Sequence, residues 1–436
     1  MRLRNFLEID FSLFFSAVIL TVFGILFIYS SGITSTGVLV STEYIRQIIW
    51  AVSGVIIALV IVMLDYRRIY DLSIYIYLGI LALLLYTVFF GRLVNGARAW
   101  IGIGVFGIQP SEFAKIATIL LLARYLDVSR HNQNEFKRFF VSCMIVFIPM
   151  GIILLQPDFG TSLVFIPILL VMTFIAGIAL RYIIFLIACI FVTSILLVLP
   201  LWQSYILQGT IPSLMILTNI RFIVIVTVAF TVIGLIALYG FMRFKKRYFY
   251  WIVYGASIVV LSLGASFMAG KVLKDYQIMR LIVFLNPNVD PRGSGWNIIQ
   301  SITAIGSGGL LGKGYLQGTQ SHYRFLPQQS TDFIFSIFSE EWGFIGGLLV
   351  FSLFLLMLLR LVKIMRSTSD PFGSYIVAGF AAMVSFHFLI NVGMAMGIMP
   401  ITGIPLLFMS YGGSSLTSAM IGIGLSLSIY VRRFQH

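Results

Sequence analysis

Twelve apolar runs of roughly 20 residues recur along this 436-residue chain, near 11–30, 45–64, 72–90, 112–126, 139–155, 159–178, 180–199, 218–241, 248–269, 333–359, 374–397 and 403–430. A helix of about 20 apolar residues crosses the hydrocarbon core of a bilayer. Barrel strands would instead alternate polar and apolar residues over about 10 positions. Inside lipid only helices or closed barrels satisfy the backbone, so the run length predicts an all-α, polytopic helical bundle. Composition agrees: 60% of residues are hydrophobic, 10% are charged, and mean hydropathy is +1.03. A soluble domain carries about 25% charged residues. The net charge of +14 would suggest nucleic acid in a soluble chain; here it reads as cytoplasmic loops, and no nucleic-acid partner is expected. Cys143 and Cys189 fall within apolar runs and read as packing residues. The first run follows Met-Arg-Leu-Arg without a small-residue cleavage site, so it reads as a retained span.

Charge sets the orientation. With the N-terminus inside, Arg67 and Arg68, then Arg124, Arg130, Lys137 and Arg138, then Arg181, fall in the cytoplasm. Arg243, Lys245, Lys246 and Arg247 follow, then Arg360, Lys363 and Arg366, and finally Arg432 and Arg433. Each alternate loop is basic, as the positive-inside rule requires, and both termini are cytoplasmic. The exceptions are Arg92, Arg98, Lys271, Lys274, Arg280, Arg292, Lys313 and Arg324, which this topology places outside. An anionic ligand such as a phosphate-bearing lipid headgroup would explain them. Long loops also cross regardless of charge, so the sign alone leaves both explanations standing.

Charges within spans are expensive unless paired or in a wet cavity. Glu112 and Lys115 are three apart, on one helix face where they can pair, with Ser111 as the expected N-cap. Asp158 follows Gln156-Pro157 at the junction of the fifth and sixth spans. Glu340 and Glu341 lie about two turns beyond Asp332 in an apolar helix, and His387 and Asn391 share a face. For these last pairs a structural contact between helices is as good a reading as a functional one. The polar segment 271–332 holds Asp290-Pro291 followed by glycines, and a Gly306–Gly314 run that lets backbone approach a ligand closely. A carboxylate among cations on a membrane-proximal loop suits displacement of a phosphate leaving group.

Several motifs carry a resemblance: Asn95-Gly-Ala-Arg98-Ala-Trp100, Gln109-Pro-Ser-Glu112-Phe-Ala-Lys115, Gln156-Pro-Asp158-Phe-Gly-Thr161, Asn286-Pro-Asn-Val-Asp290-Pro, Gly318-Thr-Gln-Ser321, Thr331-Asp-Phe-Ile-Phe335 with Glu340-Glu341, and Ser410-Tyr-Gly-Gly-Ser-Ser415. In this order and over nearly the whole chain, they resemble the SEDS proteins (shape, elongation, division and sporulation), on the RodA-like side of the family more than the FtsW-like side. The resemblance implies one membrane domain over 1–436, in the bacterial cytoplasmic (inner) membrane with its active site on the extracytoplasmic face. It implies a peptidoglycan glycosyltransferase that polymerises lipid II during cell-wall elongation, by inverting transfer with undecaprenyl pyrophosphate leaving. Its partners would be a class B penicillin-binding protein, other elongation-complex proteins and membrane lipids. Asp290 maps onto the family's catalytic loop Asp, as general base or as ligand of a divalent cation (Mg or Mn), although no metal-ligand cluster is visible. Glu112, Lys115, Asp158, Lys313 and Asp332 carry over as polar residues of the cavity, with Lys115 and Arg98 the candidates for substrate phosphates.

Two departures stand out. Ser330 replaces a His frequent before Thr-Asp-Phe-Ile-Phe, and the region 201–250 is expected to hold an inserted transmembrane hairpin, adding two spans to the ten of a typical member. The competing readings are a lipid II flippase or other secondary transporter, an FtsW-like division polymerase, and a scaffold without chemistry.

Overall fold

The computed structural model describes residues 9–94, 96–103, 106–131, 134–203, 219–272, 275–291 and 293–433. Lys274 and Arg292 among the outer charges, and Asn95 in the first motif, lie outside the described residues. Ten helices among those described are long and apolar enough to cross a membrane. The two other expected spans are also helical, but one carries Glu112, Lys115, Arg124 and Asp127, and the other is short and interrupted at Val164. The helices form two compact units, 1–178 with 296–436, and 179–295. Each is described by itself.

The first unit opens with α1 (Phe11–Ser31), α2 (Glu43–Met63) and α3 (Arg67–Phe90). Asp10 caps α1 by accepting Leu13 N–H at 3.1 Å, and its carboxylate also receives Arg360 Nε at 2.8 Å. The stretch expected to be an outer loop instead forms a small antiparallel sheet, β1 (Arg92–Val94), β2 (Ala97–Ile103) and β3 (Phe106–Ile108). Aromatic and β-branched residues on these short segments favour the pairing, and the sheet is a small addition to the all-α bundle. After it come α4 (Pro110–Val128), α5 (Glu135–Leu155), α6 (Phe159–Leu163) and α7 (Phe165–Ile175).

The unit closes with α12 (Ser294–Ser307, shared with the end of the second unit), α13 (Thr319–His322), α14 (Ile334–Ser367), α15 (Pro371–Ala395) and α16 (Gly413–Val431). Helix α16 is the central element, with nearly every side chain buried. Small residues set its close approach to α2, since a Cβ on Gly424 would come within 2.9 Å of Ala58 Cα. Arg432, one of the expected cytoplasmic cations, donates to Val62 O and Met63 O at 3.1 Å and so satisfies the carbonyls that end α2.

Helix α14 breaks at Gly343, where φ is 63° and ψ is −160°. Its freed Phe344 and Ile345 N–H groups donate to Gly309 O and Leu310 O at 2.9 and 3.1 Å. In return Lys313 N and Gly314 N donate to Glu340 O and Glu341 O, both at 3.0 Å. The Gly306–Gly314 run, expected to let backbone approach a ligand closely, lets it approach the backbone of α14. A Cβ at Gly308 would collide with Ser339 O, and one at Gly312 with Glu341 O.

The second unit contains α8 (Leu180–Trp202), α9 (Ile220–Phe244), α10 (Arg247–Val272) and α11 (Asp275–Leu285), followed by a 3-10 turn at Pro287–Val289. The polar segment 271–332 is thus largely helical. Tyr254 OH donates to Arg181 O at 2.9 Å and Ser262 Oγ to Cys189 O at 3.2 Å, pinning α10 along α8. Only Ala237 and Gly240 of α9 are buried, so its apolar faces are left for lipid.

Gly343→Ala forces a side chain into a left-handed conformation against the Gly312 amide. It is expected to cost about 1–3 kcal/mol, read as a lower midpoint of thermal unfolding in detergent. An unchanged midpoint would mean that the break is not needed.

Candidate functional site

Pro110 begins α4 at the position where a missing N–H is harmless, with Gln109 as N-cap residue. Ser111 is therefore inside the helix, its hydroxyl buried and without a hydrogen-bond partner, and not the cap expected from the sequence. The first turns bring Glu112 and Lys115 together as predicted, with Nζ 2.8 Å from Oε2. Lys115 is wholly buried, and its second partner is His387 Nε2 at 3.2 Å. His387 Nδ1 donates to Pro405 O at 2.9 Å, so Nε2 is the acceptor for the ammonium and the ring is neutral. Lys115, expected to contact phosphate, is thus held in a buried Glu112–Lys115–His387 chain.

Asp158 caps α6, accepting Thr161 N–H at 3.1 Å on one oxygen and Gln109 Nε2 at 2.8 Å on the other. Gln109 N in turn donates to Ser414 Oγ at 2.9 Å. One glutamine therefore connects the end of the sheet, Asp158 and the start of α16. Its role was not legible beforehand, because a neutral amide in a loop carries no signal of cost. Gly160 packs against Thr402 O with no room for a Cβ.

Asn391 donates to Asp332 O at 2.9 Å and to Ile404 O at 2.8 Å, while its own Oδ1 is buried and unmatched. Ser410 Oγ reaches Thr331 O at 2.5 Å and Tyr411 N reaches Ser330 O at 2.8 Å. His387 and Asn391, one turn apart on α15, thus hold the 402–411 segment against 330–332. Asp332, half-buried, enters this network by its carbonyl.

Glu340 and Glu341 have a structural use. Glu340 receives Lys313 Nζ at 2.8 Å, Thr319 N at 2.8 Å and Gln320 N at 2.9 Å. Glu341 receives Ser30 Oγ, and Leu316 N at 3.0 Å, with His322 Nε2 at 3.5 Å. That carboxylate raises the His322 pKa above its ordinary value. Lys313, expected near substrate, is committed to Glu340. Arg98 is exposed on β2.

Asp290, in the second unit, is half-buried at the end of the 3-10 turn. Asn286 opens the turn by accepting Asn288 N at 3.1 Å, and Asp290 O closes it by accepting Gly295 N at 3.0 Å. A Cβ on Gly293 would strike the Asp290 carboxylate, so glycine there leaves space beside the oxygens. Among the described residues no three His, Cys, Asp or Glu side chains converge as a metal site. Mg²⁺ commonly takes one or two carboxylates with the rest of its ligands from substrate phosphates, so a cation here would have the Asp290 carboxylate as its protein ligand.

The family model described as "Cell cycle protein", FtsW/RodA/SpoVE, matches residues 11–213 and 205–434. The chain belongs to this family, the SEDS proteins. It is 51% identical to the peptidoglycan glycosyltransferase RodA of Treponema pallidum (strain Nichols), covering 99% of this chain and all of that one. A chain of a peptidoglycan synthase complex superposes with TM-score 0.68 at 26% identity, covering 98% of this chain and 99% of that one. Thermus thermophilus RodA shares the fold, with TM-score 0.62 at 24% identity over 99% of this chain and all of that one. The SEDS membership confirms the resemblance carried by the motifs, and the bundle has the fold of these relatives.

Within this SEDS chain the Glu112–Lys115 pair is expected to behave as one unit. Lys115→Met alone leaves a buried carboxylate without its cation and costs about 3–5 kcal/mol, whereas Glu112→Gln/Lys115→Met loses less. Denaturation of the three proteins in one detergent measures the difference. A double variant as unstable as the single would refute the coupling.

Proposed function

We infer that this chain polymerises lipid II on the outer face of the cytoplasmic membrane, with Asp290 as general base. The chain is a SEDS-family peptidoglycan glycosyltransferase of rod-shape maintenance. The observation that carries the Asp290 assignment is its seat, a carboxylate on a closed turn with a glycine beside it, in the segment where the family motif falls.

In the transfer, the Asp290 carboxylate accepts the proton of the acceptor sugar hydroxyl as its oxygen bonds to the donor anomeric carbon. The bond from that carbon to the pyrophosphate oxygen breaks on the opposite face, so configuration inverts and undecaprenyl pyrophosphate leaves. A base held within hydrogen-bonding reach of the hydroxyl is the geometric requirement. Negative charge develops on the departing pyrophosphate and calls for a cation. A bound Mg²⁺ or Mn²⁺ at Asp290 would supply further neutralisation of that charge. Glu112, Lys115 and Asp158 act as a rigid polar frame, not as phosphate ligands. The solved synthase complex concerns polymerisation and crosslinking, which supports a class B penicillin-binding protein as the crosslinking partner here.

Asp290→Asn keeps the shape of the side chain and removes its basicity. It is expected to abolish glycan polymerisation from lipid II by purified protein with its partner, with elution profile and melting unchanged. Normal strands from the Asn variant would overturn the assignment. The orientation has its own test, in a Cys143→Ser/Cys189→Ser background. Lys246→Cys should react with an impermeant thiol reagent only after permeabilisation, and a tag at Gln208, outside the described residues, should be reached from outside. The reverse pattern would invert the topology and remove Asp290 from the outer face.

A further inference from the structure

No Asp or Glu occurs between Asp158 and Asp275, yet one end of the second unit gathers cations. Helix α9 ends at Phe244 and α10 begins at Arg247, so only Lys245 and Lys246 make the reversal. Lys245 adopts a left-handed conformation, φ 52° and ψ 24°, and its N–H returns to Phe241 O at 2.9 Å. This tight cap places Arg243, Lys245, Lys246 and Arg247 at a single tip, all four exposed. The hydrogen bond from Tyr254 to Arg181 O brings the exposed Arg181 of α8 alongside the same end of α10.

Local electrostatics do not favour this arrangement. Arg243 sits well at the negative end of the α9 dipole, but Lys246 and Arg247 stand at the positive end of α10. The unit offers no carboxylate on that side. What lies beside the tip is aromatic: Phe244, Tyr248 and Trp251 are exposed, and aromatic side chains of this kind favour the headgroup region of a bilayer. Anionic lipid headgroups are a counter-charge of the right sign beside such aromatic residues.

We propose that the α9–α10 tip binds the phosphate headgroups of anionic phospholipids in the leaflet it faces. Each Lys or Arg close to an anionic membrane surface adds about a fivefold preference, and four on one two-residue turn act together. The site anchors the end of the hairpin and is separate from the transfer chemistry, so its test does not depend on glycan polymerisation.

The full-length protein is reconstituted in nanodiscs of phosphatidylethanolamine with phosphatidylglycerol, or with phosphatidylcholine in its place. Retained lipid is then counted by mass spectrometry after extraction in mild detergent. Wild type should retain phosphatidylglycerol over phosphatidylcholine, less so as salt is raised. Arg243→Gln/Lys245→Gln/Lys246→Gln/Arg247→Gln should lose at least about tenfold of that preference. Lys245→Arg/Lys246→Arg should keep it, as should Lys363→Gln/Arg366→Gln, which removes exposed cations elsewhere. Equal retention by the quadruple variant, or an equal loss in the Lys363/Arg366 control, overturns the proposal. So does absence of any preference in wild type, the result expected if an acidic protein segment were the occupant. If the quadruple variant does not fold, Lys245→Gln/Lys246→Gln and the wild-type salt series decide the matter.

Discussion

A helix broken inside a membrane must find partners for the groups it frees, and the architecture of the first unit follows from how α14 does so. At Gly343 two amides and two carbonyls leave the helical ladder, and residues 309–314 take up all four. Each such group left bare in lipid costs several kcal/mol. The glutamates immediately before the break then face the same segment and bind its amides and Lys313. Glu341 also reaches Ser30, at the end of α1. Backbone and carboxylates together fix a polar strap to the first unit.

The second polar centre lies around α4 and α15. Charges there are tolerated because each has a specific partner: Glu112 for Lys115, Lys115 for His387, Gln109 and an N-cap amide for Asp158. Buried pairs of this kind specify geometry more than they add stability. In this arrangement Lys115, the cation expected to bind phosphate, has both Glu112 and His387 as partners, whereas Arg98 is exposed.

Much of this was legible in the sequence. The helices could be placed because apolar run length is a strong signal in lipid, and even the short gap at Gly177 proved to be a true boundary, with φ of 73°. The Glu112–Lys115 contact followed from spacing alone. Partnerships distant in sequence did not follow: Lys115 with His387 spans 272 positions and Lys313 with Glu340 spans 27. The helices within 271–332 were hidden because glycines and polar residues read as loop, while their burial depends on neighbours from other parts of the chain. The three-stranded sheet was missed for a related reason, since segments of 3 residues are too short to show alternation.

The contact between Gly160 and Thr402 O has a mechanical meaning. With no side chain between them, the turn that carries Asp158 and the segment that carries Ile404 and Pro405 are in direct backbone contact. Pro405 holds His387, and His387 holds Lys115. The turn that carries Asp158 is therefore tied to the histidine and its ammonium by one backbone contact followed by two hydrogen bonds, a short mechanical path through the polar core.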